Sequence, residues 1–456
     1  MWPEPEYTDV TDLRGPLIVV RGVSGVGWDE YARVRLDSGE ERGGLVLEVD
    51  RDLAVVQVFE GTDAMTRRSV RVAFTGSPLK IPVGDGWLGR VCDGRGRPRD
   101  GGPPVLGAAD APVGGAPLNP TRRSPPAEPV LTGISAIDAL TTLVRGQKIA
   151  IFSAPGLPHL ELAAQIGAQA GAGGEPFCVV FAAMGLTHAD AATVRDTLEE
   201  RSAAGELTLL LNLAGDPVIE RVLTPRLALT IAENLAFTGG RHVLVVLADM
   251  TSYCEALREV SVARGEIPAR RAYPGYLYSD LASLYERCGR IRDRAGSITV
   301  LPVLTMPAGD MTHPVPDLTG YITEGQIVLA PDVDVRPPID VLASLSRLMR
   351  AAVTPAHMDL AAQILAALAR ARQARELAEL IGASALSETD RRFIDFELSF
   401  RHRVLAQRPG ESRALEETMD RAWQALSTLP RPELTMIDSA ELDARLPKED
   451  ERGGTR

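Results

Sequence analysis

Short runs of alternating apolar and polar residues fill the first part of the chain, from Leu13 to Phe74. Alternation with a period of two is typical of β-strands that bury one face. Turn residues separate the runs, which recur about every ten residues and so predict a small closed or nearly closed β-barrel. Such a barrel can bind ligands or act as a rigid collar in an oligomer, and we favour the collar. The predicted strands are Leu17–Val20, Tyr31–Leu36, Leu45–Val49, Ala54–Phe59 and Val70–Phe74.

Between Gln147 and about Ile327, apolar runs alternate instead with segments of helical periodicity. This alternation predicts an α/β domain whose sheet is mostly parallel and covered by helices on both faces. In such sheets ligands bind at the carboxyl ends of the strands. The predicted strands are Lys148–Phe152, Phe177–Ala182, Leu207–Asn212 and His242–Ala248, and the predicted helices are His159–Ala170, Ala189–Arg201, Arg226–Thr238 and Glu255–Ser261.

After about Arg350 the spacing of apolar residues predicts a helical bundle, with helices over His357–Ile381, Asp390–Leu405 and Ser412–Leu426. Ser387 is placed to cap one of them. We therefore divide the chain into a barrel (1–76), an α/β domain (77–350) and a helical domain (351–456) with a frayed charged tail, Lys448–Arg456. The part 77–130 is an extended connector, because its stretch from Pro98 to Pro129 holds nine prolines.

The composition of the chain argues against several classes of function. The net charge of −12 argues against a sequence-independent nucleic-acid surface, which needs clustered Lys and Arg. No run of 18 apolar residues predicts a membrane span, and the acidic start does not resemble a signal peptide. The 4 cysteines are far apart, which predicts reduced thiols in a cytosolic chain and no structural metal.

One strand–turn–helix segment, around Ser153 to His159, has the form of a phosphate-binding loop. Aligned with the pattern G-x-x-x-x-G-K-[ST], Ser153 and Pro158 stand at the two glycines, with Gly156 and Leu157 between them. His159 replaces the lysine and Leu160 the hydroxyl residue. The fixed positive charge and the Mg²⁺ ligand are thus both missing. The segment is either a degenerate nucleotide loop or an ordinary strand-to-helix turn.

A second candidate position follows the strand His242–Ala248, where the apolar run ends in Asp249. A carboxylate at this place is the Mg²⁺-holding aspartate of nucleotide-hydrolysing domains. An aspartate that caps the following helix is an equally good interpretation.

Several long strings give the chain a resemblance to the B subunit, the non-catalytic subunit of the V/A-type rotary ATPases and ATP synthases. The similarity runs from about residue 15 to about residue 405. The resemblance implies a β-barrel, a RecA-like domain and a helical domain, in a hexamer of three A and three B subunits. The strings include Val58–Thr62, Thr132–Asp138, Leu143–Gln147, Gly156–His159, Asn212–Pro225, His242–Glu259, Arg271–Asp280 and Ile298–Arg347.

The resemblance also implies a role for Arg347, at the end of the string S-L-S-R. In proteins similar to this one, that arginine reaches the nucleotide on the neighbouring A subunit as an arginine finger. ATP or ADP with Mg²⁺ is then held mainly by the A subunit. Further implied partners are the central rotor stalk, the peripheral stalk and, indirectly, the membrane ion-translocating sector, with the complex peripheral on the cytoplasmic face of the plasma membrane.

The chain departs from the family where the usual S-G-S-G-L-P-H-N-E becomes Ser153-Ala154-Pro155-Gly156-Leu157-Pro158-His159-Leu160-Glu161. These changes weaken the expectation of nucleotide binding at the loop. Two alternatives stay open: a self-contained RecA-type hexameric motor, such as a helicase or secretion ATPase, and a purely structural ring subunit.

Overall fold

The computed structural model describes residues 5–382, 384 and 386–446. Its first part is the predicted β-barrel, an antiparallel sheet with the strand order β1-β7-β4-β5-β6-β3-β2. Alternate side chains, such as Ala32 and Val34, are buried inside it. Two further strands precede the five that the sequence predicted. The strands are β1 (Glu6–Tyr7), β2 (Val10–Arg14), β3 (Leu17–Arg21), β4 (Glu30–Leu36), β5 (Glu41–Asp50), β6 (Leu53–Val58) and β7 (Val70–Pro78).

The proline-rich connector is ordered and contributes strands of its own. β8 pairs with β10, and β9 joins the edge of the large central sheet by pairing in parallel with the strand that begins at Leu207. The connector therefore ties the barrel to the α/β domain. Its strands are β8 (Lys80–Val83), β9 (Val91–Asp93), β10 (Ala109–Pro112), β11 (Arg123–Ser124) and β12 (Pro129–Val130), and β12 pairs with β13 (Leu143–Val144).

The central sheet has the order β21-β20-β14-β19-β17-β15-β16-β9, with β18 pairing beside β19. Strands β14, β15, β16, β17, β19 and β20 run parallel, which confirms the predicted α/β class. The strands are β14 (Ala150–Ser153), β15 (Phe177–Leu186), β16 (Leu207–Leu213), β17 (His242–Ala248), β18 (Gly289–Ile291), β19 (Ser297–Thr305), β20 (Gly325–Leu329) and the antiparallel edge β21 (Ile339–Ser346).

Helices cover both faces of this sheet, as predicted for strands that are buried on both sides. Two predicted helices begin earlier in the structure: α4 begins at Val218 rather than Arg226 and continues through Pro225, and α5 begins at Met250 rather than Glu255. The helices are α1 (Ser135–Leu140), α2 (His159–Gln169), α3 (His188–Ala203), α4 (Val218–Glu233), α5 (Met250–Ala263), α6 (Leu277–Tyr285) and α7 (Pro314–Ile322).

The last part is the predicted helical domain, whose apolar residues join the same core cluster as one face of the central sheet. Ser387 caps α9 by accepting a hydrogen bond from the Asp390 amide, as the sequence predicted. The tail Lys448–Arg456 lies outside the described residues. None of the described helices is long and apolar enough to cross a membrane. The helices are α8 (Pro355–Ile381), α9 (Glu388–Phe400), α10 (Leu415–Leu426) and α11 (Ser439–Arg445).

Candidate functional site

The loop between β14 and α2 lies at the carboxyl end of the parallel strands, where a phosphate loop would lie. Its backbone, however, is closed on itself. The amide of Leu157 donates to the Ala154 carbonyl at 3.4 Å, and the amide of His159 donates to the Leu157 carbonyl at 2.8 Å. A phosphate cradle depends on free amide groups aimed at the ligand, so these two donors are lost to it. Pro158 supplies no amide hydrogen at all.

The side chains of the loop also face the protein rather than a ligand. Ser153 is fully buried, and its hydroxyl donates to the Ala154 carbonyl at 2.9 Å. Leu157 and Leu160 are partly buried and pack against the main hydrophobic cluster. Leu160 occupies the place of the hydroxyl residue that binds Mg²⁺, and an apolar side chain cannot ligate that cation. Gly156 has a φ of 80°, the left-handed conformation that lets the chain turn here.

His159 and Asp249 meet beside this loop, with 3.8 Å between His159 Nε2 and Asp249 Oδ2. The other imidazole nitrogen, Nδ1, lies 3.0 Å from the Leu157 carbonyl. His159 is therefore held against its own turn through Nδ1, and its Nε2 lies near the carboxylate at the end of β17.

Asp249 acts as the helix cap of α5. Its Oδ1 accepts a hydrogen bond from the Thr251 amide at 2.6 Å, and its Oδ2 accepts one from the Thr305 hydroxyl. Both carboxylate oxygens thus have protein donors. Sequence analysis did not identify Thr305, although a polar residue that ends the apolar strand β19 was the available signal.

These contacts test whether the nucleotide that a RecA-like domain implies fits this loop. It does not fit as it would in a complete phosphate loop, because two loop amides bind carbonyls of the loop, two prolines supply no amide hydrogen, the lysine is missing and Leu160 replaces the hydroxyl that binds Mg²⁺. Elsewhere among the described residues, no group of three or more His, Cys, Asp or Glu side chains is arranged to hold a metal ion.

Arg347 lies far from this loop in the same domain. It directly follows β21, whose last residue, Ser346, pairs with Gly325 at the start of β20, whereas Ser153 pairs with Leu329 at the end of β20. Four residues of strand correspond to about 13 Å. The structure thus brings Ser153, Gly156, Leu157, Pro158, His159 and Asp249 together at one edge of the sheet. It places Arg347 at the opposite edge.

The backbone at Arg347 is held firmly, and the side chain is exposed. Its amide donates to the Glu324 carbonyl at 3.0 Å. Glu324 itself accepts from the Lys148 amide and pairs with the Lys148 ammonium, both at 2.6 Å. Within the described ranges the Arg347 guanidinium makes no hydrogen bond or ion pair. A backbone held by hydrogen bonding and a guanidinium group without a partner in the chain are suited to a contact with another molecule.

Comparison with known proteins gives matches over the three parts of the chain. The β-barrel domain of the ATP synthase alpha/beta family matches residues 10–76, and the nucleotide-binding domain of the same family matches residues 133–346. The C-terminal domain of V and A type ATP synthase matches residues 346–446.

Among solved structures, the chain is similar to one described as a unique ATP synthase subunit NeqB from Nanoarcheaum equitans. The two are 36% identical with a TM-score of 0.72, over 88% of this chain and 100% of that chain. The resemblance inferred from the sequence is thereby confirmed, and the chain belongs to the V- and A-type branch of the ATP synthase alpha/beta family.

Proposed function

We propose that this chain is the non-catalytic B subunit of a V/A-type ATP synthase or ATPase. It alternates with catalytic A subunits in a hexamer that couples ATP synthesis or hydrolysis to proton or sodium transport. The observation that carries the proposal is the contrast within the α/β domain: the loop after β14 is closed by its own carbonyls, while Arg347 is unengaged at the opposite edge of the sheet.

In this proposal Arg347 is an arginine finger for the site on the neighbouring A subunit. The planar, permanently charged guanidinium is suited to charge spread over phosphoryl oxygens. About 13 Å of strand separate Arg347 from the loop of its own domain, so action across a subunit boundary suits its position better than action within the chain. ATP or ADP and Mg²⁺ are held mainly by the A subunit.

The further partners are the central rotor stalk and the peripheral stalk, and through them the membrane ion-translocating sector. The chain then lies on the cytoplasmic face of the plasma membrane as a peripheral subunit. Its net charge of −12 favours protein partners over nucleic acid.

Titration of the isolated chain with a fluorescent ATP analogue, followed by addition of its A partner, tests this function. We expect no ATPase activity and no saturable binding for the isolated chain, and ATPase activity after the A subunit is added. Hydrolysis by the isolated chain, especially if RNA stimulates it, would instead identify a self-contained motor. An active ring whose turnover does not depend on Arg347 would identify a purely structural subunit.

A further inference from the structure

Five charged residues meet where the barrel joins the α/β domain, and we call them the junction cluster. Glu60 follows β6 of the barrel, the end of β9 and the turn after it provide three members, and Glu220 lies in the first turn of α4. No two of these three segments are adjacent in the sequence, so the cluster is a contact between domains. Its members are Glu60, Asp93, Arg95, Arg97 and Glu220.

The two arginines are shared among the three carboxylates. Arg95 pairs with Glu60, and its guanidinium also lies 5.0 Å from the centre of the Phe59 ring. Arg97 binds Asp93 at 2.6 Å and Glu220 at 3.0 Å. Longer contacts of 3.9 Å join Arg95 to Glu220 and Arg97 to Glu60. Each carboxylate of the junction cluster thus pairs with one or both of these two arginines.

The charges of the junction cluster do not balance. Three carboxylates face two guanidinium groups, which leaves one negative charge in excess. Neighbouring groups do not remove it, because Arg99 pairs with Asp216 at 2.7 Å and Tyr31 on the barrel side is neutral at physiological pH. An uncompensated charge at a buried position is costly unless the group takes up a proton.

The hydrogen bonds indicate which carboxylate takes the proton. Asp93 is satisfied as an anion, because its Oδ1 accepts from the amides of Arg95 and Arg97 and its Oδ2 accepts from Arg97 Nε. In contrast, within the described part of the chain, Oε2 of Glu60 and Oε2 of Glu220 are buried and have no partner. The Glu220 side chain is 1% exposed and that of Glu60 is 25% exposed, so the desolvation cost falls mainly on Glu220.

We propose that the junction cluster is a proton-binding switch: Glu220 holds a proton in the folded chain, and release of that proton loosens the contact between the barrel and the α/β domain. Burial, with Asp93 and Asp216 adding to it against the two arginines, raises the pKa of Glu220 to about 7. This pKa lies above the ordinary 4.5 of a glutamate. Proton binding therefore stabilises the closed junction fully below pH 4.5, and this stabilisation is lost as the pH rises through about 7.

Hydrogen exchange measured by mass spectrometry on the full chain tests the switch. The peptides that contain Phe59 and Arg97 report opening of the junction, after correction for the intrinsic pH dependence of exchange. Between pH 5.5 and pH 8 the opening equilibrium should rise about tenfold or more in the unmodified chain, and by less than about twofold in Glu220→Gln. Glu199→Gln, which alters an exposed carboxylate on α3, should behave like the unmodified chain.

A second variant, Glu60→Gln, removes one negative charge at a less buried position of the junction cluster. It frees Arg95 to pair with Glu220 but leaves Glu220 buried beside Asp93, so the pH dependence of opening should weaken without disappearing. The proposal is overturned if Glu220→Gln retains the pH dependence of the unmodified chain, or if the unmodified chain shows none. It is supported if opening of Glu220→Gln does not change with pH while that of Glu199→Gln changes as in the unmodified chain.

Discussion

At the scale of single residues, the loop after β14 lost more than the lysine and the hydroxyl of a phosphate loop. The amides of Leu157 and His159 now bind carbonyls of the loop itself, and Leu157 and Leu160 pack into the core. These contacts stabilise the turn without a ligand. We therefore expect that replacing only its missing chemical groups does not restore a binding site.

This interpretation predicts the behaviour of a double variant, His159→Lys with Leu160→Thr. It regains the charge and the hydroxyl but not the free amides, so its affinity for a fluorescent ATP analogue should rise by no more than about tenfold, or about 1.4 kcal/mol. Fluorescence titration of the isolated chain measures this. A control that also carries Ala154→Gly and Pro155→Gly changes the backbone of the turn and should bind more tightly than the double variant. Micromolar binding by the double variant alone would contradict the account.

The sequence predicted the missing groups of this loop, since they can be compared with the motif position by position. It did not predict how the loop is closed, because that depends on the direction of each carbonyl in the turn. For Asp249 the sequence left a metal ligand and a helix cap equally open. The structure provides the cap, and the donor that completes it, Thr305, lies 56 residues further along the chain.

At the scale of secondary-structure elements, an ion pair with a fully buried arginine joins α4, the segment after α6 and the connector. Arg287 is fully buried and binds Glu233 with two hydrogen bonds of 2.7 and 2.8 Å. It also donates to the Thr230 hydroxyl at 2.7 Å and to the Val113 carbonyl at 3.2 Å. A single side chain thus satisfies acceptors on α4 and on the connector.

Arg287→Met should destabilise the chain by about 3–5 kcal/mol, because it leaves the partly buried Glu233 carboxylate and two buried acceptors, the Thr230 hydroxyl and the Val113 carbonyl, without their donor. Arg445→Met, which breaks the exposed pair of Arg445 with Asp420, should change stability by about 0–1 kcal/mol. Urea unfolding of both variants measures the difference. Equal stability of the two would show that burial at Arg287 does not have the effect we assign to it.

Gly296, directly before β19, provides a second prediction at this scale. A Cβ on Gly296 would lie 2.1 Å from the Ala236 carbonyl oxygen and 2.6 Å from that of Arg241. Gly296→Ala should therefore lower the thermal midpoint and cost about 1–3 kcal/mol. Gly215→Ala, where nothing lies within 4 Å of the added carbon, serves as the matched control and should be nearly neutral. A loss of stability in the control as large as that of Gly296→Ala would argue against a steric cause.

Most elements were predictable from periodicity, including β17 over His242–Ala248 and the capped start of α9. The start of α4 was not, because the helix continues through Pro225, a residue that usually ends or kinks a helix. The seven-residue helix α11 was also not predicted. Its periodic signal is short, and the charged tail follows it directly.

At the scale of the whole molecule, the order of barrel, α/β domain and helical domain followed from three successive hydrophobic patterns. The contacts between these parts did not. The junction cluster joins residues up to 160 positions apart, from Glu60 to Glu220, and the helical domain shares a core with the central sheet. Such contacts depend on the packing of the domains, which no local pattern encodes.

The role of Arg347 belongs to this scale as well, because it concerns a site that the chain alone does not contain. Two exposed arginines lie three positions apart at this edge, Arg347 and Arg350. They carry the same charge, so a comparison of the two separates a specific finger from a general electrostatic effect. Arg347→Lys keeps the charge but loses the planar guanidinium group. The complex that carries it should therefore retain only part of the ATP turnover of the unmodified complex.

The most direct test is the ATP turnover of the complex assembled from the A subunit and this chain carrying Arg347→Ala. The account predicts that turnover falls by about 10³ to 10⁵, equivalent to about 4–7 kcal/mol of barrier, while the ring still assembles. Arg350→Ala should stay within about threefold of the unmodified complex. Near-normal turnover of the Arg347→Ala complex, or an equal loss in both variants, would contradict the account.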